Sequence, residues 1–234
     1  DMVDIWLMTP NNTPIQILLY QALGRTPPRF AHLPMMLAPS GEKLSKRHGA
    51  VSVGEYRDRG ITPAALLNYL VRFGWSFGDQ EVFSVQQLVD AFDWARCGKG
   101  DGKFDTKKLA AIAFEHLKRP ELTTLEAYAD AVVPFLAKRG LEGVDRGLLL
   151  AAIPQVRERA QTLVDAAEGL DFLFRDPPVY DEKAVAKFLV PDKAKHLRPL
   201  RDVIAAAPGH TKAVLEPHVV DWLKAQGLEL KDVA

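Results

Sequence analysis

Residues 62–74, TPAALLNYLVRFG, contain the signals that begin, shape and end an amphipathic helix. Thr62 is a favoured N-cap, Pro63 suits the first helical turn, where its missing N–H needs no partner, and Gly74 is a common stop. The apolar residues between them recur at helical spacing and are expected on one buried stripe: Leu66, Leu67, Leu70, Val71 and Phe73. This segment predicts a helix and indicates a mainly α fold.

The same helix signals recur along most of the chain. Ser84 with Gln87, and Thr123 with Glu126, have the spacing of a capping box. Asp105 is placed to cap the helix that follows it. Further helices are expected over residues 145–175, 181–190, 196–207 and 211–226.

Strand signals are few, and glycine or proline marks the linkers. HLPMMLAP (32–39) is a short apolar run that predicts a strand leading into the next loop. ILLYQALG (17–24) is interpreted instead as a helix that ends at Gly24. The three glycines of CGKGDGK (97–103) predict a mobile linker, and RDPPVYD (175–181) predicts a proline hinge between helical blocks.

A basic segment, KLSKRHGA (43–50), follows the predicted strand and lies between glycines. Lysine ammonium groups on such a loop can close over a phosphate chain and stabilise charge on its non-bridging oxygens in a transition state. A solvated basic turn is the alternative, and it is the commoner origin of so short a pattern taken alone. The segment is therefore a candidate phosphate site.

The amino-acid composition restricts which kinds of site and which cellular location the chain can have. Lys plus Arg and Asp plus Glu number 30 each, so any site for a polyanion must come from local clustering of charge. Cys97 is the single cysteine, which excludes an intrachain disulfide and fits a reducing, cytoplasmic location. No apolar run is long enough to span a bilayer, so no membrane partner is expected.

Several longer stretches resemble bacterial glutamyl-tRNA synthetases, which are class I aminoacyl-tRNA synthetases. KLSKR resembles the mobile lysine loop of that class, and the stretch from PPRFAHLPMMLAPSGE through NYLVRFGWSFGDQEVFS (27–84) follows the family almost phrase by phrase. NNTPIQILLYQALG (11–24), FDTKKLAAIAFEHL (104–117) and VRERAQTLVDAAEGLDFLF (156–174) resemble other family segments. The resemblance covers nearly the whole chain.

The resemblance implies a mainly α fold in three parts. Residues 1–50 would be the end of the catalytic nucleotide-binding α/β domain, including the KLSKR loop. Residues 51–122 would form a stem-contact domain, and residues 123–234 part of a helical anticodon-binding domain. The family also suggests a monomer.

The implied activity is that of a glutamate–tRNA ligase, which activates glutamate with ATP and transfers it to tRNA(Glu). Lys46 would be the catalytic, phosphate-contacting lysine, and the ATP-binding signature is completed by Lys43, Leu44, Ser45 and Arg47. Mg²⁺ would accompany ATP, but we expect no metal ligands in this chain.

The chain also departs from the family pattern. DIWLM (4–8) replaces an acidic-histidine phrase, Ile15 replaces an arginine, and AIA (111–113) replaces a Trp-Leu-Asn phrase. No HIGH-like signature occurs, so we expect a fragment truncated at both ends and inactive alone. The alternative is a non-catalytic tRNA-binding paralogue that retained the RNA scaffold.

Clustered basic residues are candidates for tRNA contact, because tRNA is held mainly through phosphates, sugars and shape. The first basic patch is Arg96, Lys99, Lys103, Lys107 and Lys108; the second basic patch is Lys193, Lys195, Arg198 and Arg201. Arg57 and Arg59 are further candidates. The alternative for each patch is an ordinary charged helix surface.

Aromatic residues are interpreted mainly as packing residues. Trp75 lies between Gly74 and Gly78, where it could stack on a base or anchor a turn, and we favour the anchor because tryptophan buries a large area. Phe172 and Trp222 have helical spacing with leucines and are expected in the core.

Overall fold

The computed structural model describes residues 12–30, 32, 36–42, 52–98, 100–176, 179–209 and 211–233. The predicted phosphate loop, residues 43–47, and Lys99 lie outside the described residues. The chain divides into two compact units, residues 1–175 and residues 176–234. This division falls within the segment that the sequence predicts as a proline hinge.

Helices dominate both units, as the sequence predicts. Unit 1 contains α1 (Thr13–Ala22), α2 (Val53–Asp58), α3 (Pro63–Val71), α4 (Val85–Ala91), α5 (Thr106–Lys118), α6 (Leu125–Lys138), α7 (Arg146–Arg157) and α8 (Leu163–Leu170). Unit 2 contains α9 (Glu182–Phe188), α10 (Pro191–Ala205), α11 (Lys212–Ala225) and α12 (Leu230–Val233). Short 3-10 helices cover Trp94–Arg96 and Asp171–Leu173. No helix among the described residues is long and apolar enough to cross a membrane.

Most of the predicted helix starts are confirmed by the observed caps. The Thr62 hydroxyl accepts the N–H of Ala65, and Ser84 forms the predicted capping box with Gln87. The prediction for α6 is wrong by one residue, because Thr124 rather than Thr123 accepts a helical N–H. Glu126 at capping-box spacing favours Thr123, so the local pattern selects the wrong one of two adjacent threonines, and the start of the helix depends on its packing.

The structure contains a strand pair where the sequence predicts one strand and a mobile linker. Strand β1 (Met36–Leu37) lies parallel to β2 (Gly102–Lys103), with Leu37 opposite Lys103. The end of the glycine-rich segment is therefore paired. A Cβ on Gly102 would lie 2.7 Å from Cδ1 of Phe73, so this glycine permits a close approach of strand and ring.

Two apolar clusters pack around the strand pair and the helices beside it. The first consists of Tyr56, Leu66, Tyr69, Phe104, Leu109 and Ile112, and the second of Trp75, Phe83 and Leu88. Trp75 is 2% exposed, which confirms it as a packing anchor. The predicted stripe on α3 is wrong at Leu67, which is 42% exposed because the inward positions are Leu66 and Tyr69.

A third cluster forms the core of the α6–α8 bundle. It is built around fully buried side chains, among them Tyr128, Leu136, Leu149, Ile153 and Leu170. The core prediction for Phe172 is wrong: its side chain is 66% exposed, because it follows α8 in a short 3-10 helix that turns it outward. Trp222 in unit 2 is half-buried.

Arg157 joins this bundle to the end of α5. Its guanidinium is buried and donates to the carbonyl oxygens of Leu117 (3.1 Å) and Thr123 (2.7 Å). The Leu117 carbonyl lies in the last turn of α5, where helical partners are missing, and Thr123 lies just before the N-cap of α6. A charged donor here satisfies the helix end and fixes α7 against it.

Candidate functional site

The described residues on both sides of the basic loop are held by hydrogen bonds. Before it, the Phe104 N–H donates to Leu37 O (2.8 Å), and the Ala38 N–H donates to Glu42 O (2.7 Å). After it, α2 begins with a capping box between Ser52 and Glu55. The loop therefore connects an ordered strand to an ordered helix.

Strand β2 and α5 bring part of the first basic patch together at one pocket, which we call the β2–α5 pocket. It has a volume of about 180 Å³ and is lined by Tyr69, Arg72, Phe73, Gly74, Gly102, Lys103, Asp105 and Lys108. Two predicted residues, Lys103 and Lys108, thus share a concave surface with a third cation. Lys107 lies beside Lys108 in the first turn of α5 and is exposed.

Tyr69 and Asp105 position the start of α5. The Tyr69 hydroxyl donates to Asp105 O (2.9 Å) and accepts from the Asp105 N–H (2.7 Å), while burial raises the pKa of Tyr69. The Asp105 carboxylate accepts the N–H groups of Lys107 (2.8 Å) and Lys108 (3.1 Å), as its predicted capping role requires. The two lysine side chains consequently leave the helix from its fixed first turn.

Glu81 contacts two of the three pocket cations. Its Oε1 lies 2.5 Å from Lys108 Nζ and 3.5 Å from Arg72 Nη2. The hydrogen bond from Lys108 is the main reason why the pKa of Glu81 lies below its usual value. Arg72 is further held by donation to Gln80 O (2.8 Å).

Arg72 and Glu81 are the members of this site that the sequence interpretation missed. Arg72 ends α3, where a basic residue is ordinary, and Glu81 lies in a loop nine residues later. Their meeting with Lys108 depends on how α3 packs on α5. No local pattern in the sequence encodes that contact.

The other predicted residues of unit 1 lie on separate surfaces. Arg96 places its guanidinium over the Phe77 ring at 4.6 Å, and Arg59 lies 5.9 Å from the centre of the Tyr56 ring. Arg57 pairs with the adjacent Asp58, with 3.2 Å between Nε and Oδ1. Each of these cations is exposed, and none lines the β2–α5 pocket.

The second basic patch runs along α10. Lys195 pairs with Asp192 (3.3 Å), and Arg201 pairs with Asp202 (2.6 Å). Lys193 donates to Lys231 O (3.0 Å), and Arg198 is exposed. The segment is therefore less positive than its basic residues suggest, because acids at each end of it neutralise two of them.

Metal ligands are not grouped in the part of the chain that the structure describes. No set of three or more His, Cys, Asp or Glu residues there could hold a metal ion. Cys97 is half-buried, and burial raises the pKa of its thiol.

Two family comparisons match nearly the whole chain between them. Residues 10–111 match the family described as tRNA synthetases class I (E and Q), catalytic domain. Residues 127–234 match an anticodon binding domain. The first match is to class I tRNA synthetases, as the resemblance implies.

Comparison with individual proteins shows which tRNA ligases the chain resembles. The glutamate–tRNA ligases of Geotalea uraniireducens and Geobacter sulfurreducens are each 42% identical, over 96% and 94% of this chain and 47% and 46% of their own lengths. A crystal structure of a glutamate tRNA ligase from Elizabethkingia meningosepticum, in complex with its amino acid, matches 98% of this chain and 49% of its own, with a TM-score of 0.74 and 27% identity. The chain is therefore a homologue of glutamate–tRNA ligases along almost its whole length, and it spans about half the length of these relatives.

Proposed function

We propose that this chain is part of a glutamate–tRNA ligase that activates glutamate with ATP and transfers it to tRNA(Glu). The observation that carries the proposal is the 42% identity to glutamate–tRNA ligases over 96% of the chain. The chain contributes the basic phosphate loop and a surface for tRNA. It works as a cytoplasmic monomer.

The proposed role of the basic loop follows from its charges. ATP supplies the activated phosphate bond, and Mg²⁺ would come with it, although the described residues offer no ligand set for the ion. Lys46 stabilises the charge that develops on the leaving pyrophosphate, because a positioned cation in a water-poor site favours the transition state. Lys43, Ser45 and Arg47 hold the same phosphate chain, and Leu44 lies between them.

The proposed tRNA surface centres on β2 and the start of α5. Lys107 and Lys108 occupy the first turn of α5, where a cation is unfavourable beside the positive end of the helix dipole. A bound polyanion would compensate this unfavourable placement. Lys103 and Lys108 line the β2–α5 pocket, and Lys107 is exposed beside Lys108, so all three are available to a polyanion.

Binding of tRNA(Glu) at graded salt concentrations tests this surface. Reversal of Lys103, Lys107 and Lys108 to glutamate should weaken binding and reduce the slope of log affinity against log salt by about 1 for each phosphate that is no longer neutralised. Reversal of Lys118, Lys138 and Arg146, which lie outside both basic patches, is the matched control. An unchanged slope in the first variant would contradict the proposed surface.

A non-catalytic tRNA-binding paralogue is the second candidate, motivated by the departures from the family pattern. One of these departures concerns packing, because Ile112 and Ala113 of the AIA phrase are 3% and 2% exposed in the core. Glutamate-dependent exchange of pyrophosphate into ATP by the complete gene product separates the two functions. Exchange supports the ligase, whereas tRNA binding without exchange supports the paralogue.

A further inference from the structure

The β2–α5 pocket concentrates positive charge around a small volume. Arg72, Lys103 and Lys108 line a space of about 180 Å³. Asp105 also lines it, but its carboxylate accepts two backbone N–H groups of α5 and thereby serves the helix cap. Glu81 is the carboxylate that pairs with the pocket cations themselves, at Lys108 and Arg72.

The backbone of Glu81 is fixed by a hydrogen bond, whereas its side chain is exposed and free to leave its ion pair. Its carbonyl oxygen accepts from Nδ2 of the buried Asn68 (2.9 Å), so the main chain is anchored. Its side chain is 50% exposed, and the Lys108 side chain is 40% exposed. An ion pair so open to water contributes little net free energy, and a stronger anion can replace it.

Resting on the proposed function, we propose that the β2–α5 pocket is a subsite for one phosphodiester of the tRNA backbone, and that Glu81 is the resident counterion which that phosphate displaces from Lys108. A phosphate has the charge and the spread of acceptor oxygens to meet Lys108 and Lys103 together. Arg72 stays in place, because it is only 16% exposed and is held by Gln80 O. Glu81 thus opposes binding of any anion too weak to compete for Lys108, and so lowers non-specific affinity.

This arrangement makes a prediction opposite to that for an ordinary structural ion pair. Glu81→Gln in the full chain keeps the size and the hydrogen-bonding capacity of the side chain but removes its charge. The variant should bind tRNA(Glu) roughly two- to fivefold more tightly, the range expected for one exposed ion pair. Lys108→Met should then weaken binding more in the Glu81→Gln background than in the native one, because Lys108 no longer has a competing partner.

Glu115→Gln is the matched control, since it removes an i,i+4 ion pair with Arg119 on α5, outside the pocket. Thermal unfolding of each variant verifies that the fold is retained. Tighter tRNA binding in Glu81→Gln alone, with non-additive coupling to Lys108, supports the subsite. Equal or weaker binding in Glu81→Gln, or additive effects of the two substitutions, overturns it.

Two further measurements identify the ligand and show whether a negative result contradicts the subsite alone or also the proposed function. Titration with inorganic phosphate and with ATP should show no dependence on Glu81, and tightening for either would assign the pocket to a small phosphate and overturn the RNA subsite. If no variant binds tRNA, the proposed function falls and the subsite with it. If the native chain binds tRNA and Glu81 has no effect, only the subsite falls.

Discussion

His116 on α5 is a buried imidazole whose hydrogen bonding sets its tautomer. It is 1% exposed, and its Nε2 lies 3.0 Å from Asn68 Oδ1. Asn68 Oδ1 also accepts the Phe83 N–H (2.8 Å), while Asn68 Nδ2 donates to Glu81 O, so this amide oxygen is an acceptor. Nε2 of His116 therefore carries the proton and donates, and the buried Nδ1, which has no hydrogen-bond partner among the described residues, stays unprotonated.

The free energy of unfolding should consequently decrease as the pH is lowered. Burial lowers the pKa of His116 from 6.5 to about 4. The unfolded chain takes up a proton near pH 6.5 and the folded chain only near pH 4, so the free energy of unfolding should drop by about 2 kcal/mol from pH 7.5 to pH 5. Urea unfolding at both pH values measures this drop, which His116→Gln should largely abolish. His218→Gln, at an exposed position of unit 2, should preserve it, and an equal drop in both variants would contradict the assignment.

Substitution of Lys46 tests the proposed catalytic role of the basic loop. In the complete gene product, Lys46→Ala should slow adenylate formation by about a hundredfold or more, the usual effect of losing one transition-state donor. ATP affinity should change much less, because the charge that Lys46 neutralises develops mainly in the transition state. Pre-steady-state formation of the adenylate measures the rate, with Lys224→Ala, an exposed lysine of α11, as control. An unchanged rate would refute the role.

The end of α2 meets the start of α8 through a glycine. Gly60 has φ +81°, and its carbonyl accepts the Leu163 N–H (3.0 Å). A Cβ at this position would lie 2.7 Å from Val164 N and 2.8 Å from Leu163 N. Both obstacles are backbone atoms, so neither can rotate away. This contact packs the helix that follows the basic loop against the bundle.

Gly60→Ala should therefore combine a strained φ with a backbone clash. We expect a loss of at least about 3 kcal/mol in the free energy of unfolding, compared with about 1–2 kcal/mol for a positive φ alone. Gly143→Ala isolates the effect of the positive φ, because Gly143 has φ +64° and nothing within 4 Å of its added Cβ. Chemical denaturation of the two variants measures the difference. Equal losses would mean that the α2–α8 contact yields to an added methyl group.

At the scale of the whole molecule, exposed residues lie near the start of unit 2. Val179 and Tyr180 are 80% and 60% exposed, just beyond the division between residues 175 and 176. Such a segment can enter a protease site without unfolding either unit. Brief digestion with chymotrypsin should first cut after Tyr180, leaving residues 1–180 and 181–234.

Phe172 is a second exposed chymotrypsin site with which cleavage after Tyr180 can be compared. It is 66% exposed, close to the exposure of Tyr180, but it lies in the 3-10 helix Asp171–Leu173 of unit 1. Nearby, Asp171 binds both Arg139 (2.7 Å) and Arg175, and these bonds hold the backbone. Mass spectrometry of early fragments identifies the site, and initial cleavage after Phe172 would contradict the two-unit description.

The predicted domain boundaries at residues 50 and 122 remain predictions, as do the roles of Lys43, Leu44, Ser45, Lys46 and Arg47. The sequence was informative about helix starts because a cap joins a side chain to a backbone N–H only three residues away. The sequence was less informative about which face of a helix is buried. Leu67 and Phe172 fit apolar stripes but are exposed, because burial depends on which neighbouring segments pack against each position. The basic residues could be found by inspection, but their ionic partners could not.

The linear order of residues was sufficient for the helical class, for the family and for the position of the basic loop, because caps, hydrophobic spacing and the signature residues act within a few positions of one another. Packing in three dimensions decided that the glycine-rich linker ends in a strand against Phe73, and that Arg72, Glu81 and Lys108 share charge at one pocket. Those contacts join residues 9 to 29 positions apart. Their free energy depends on distance in the folded chain, which no local pattern specifies.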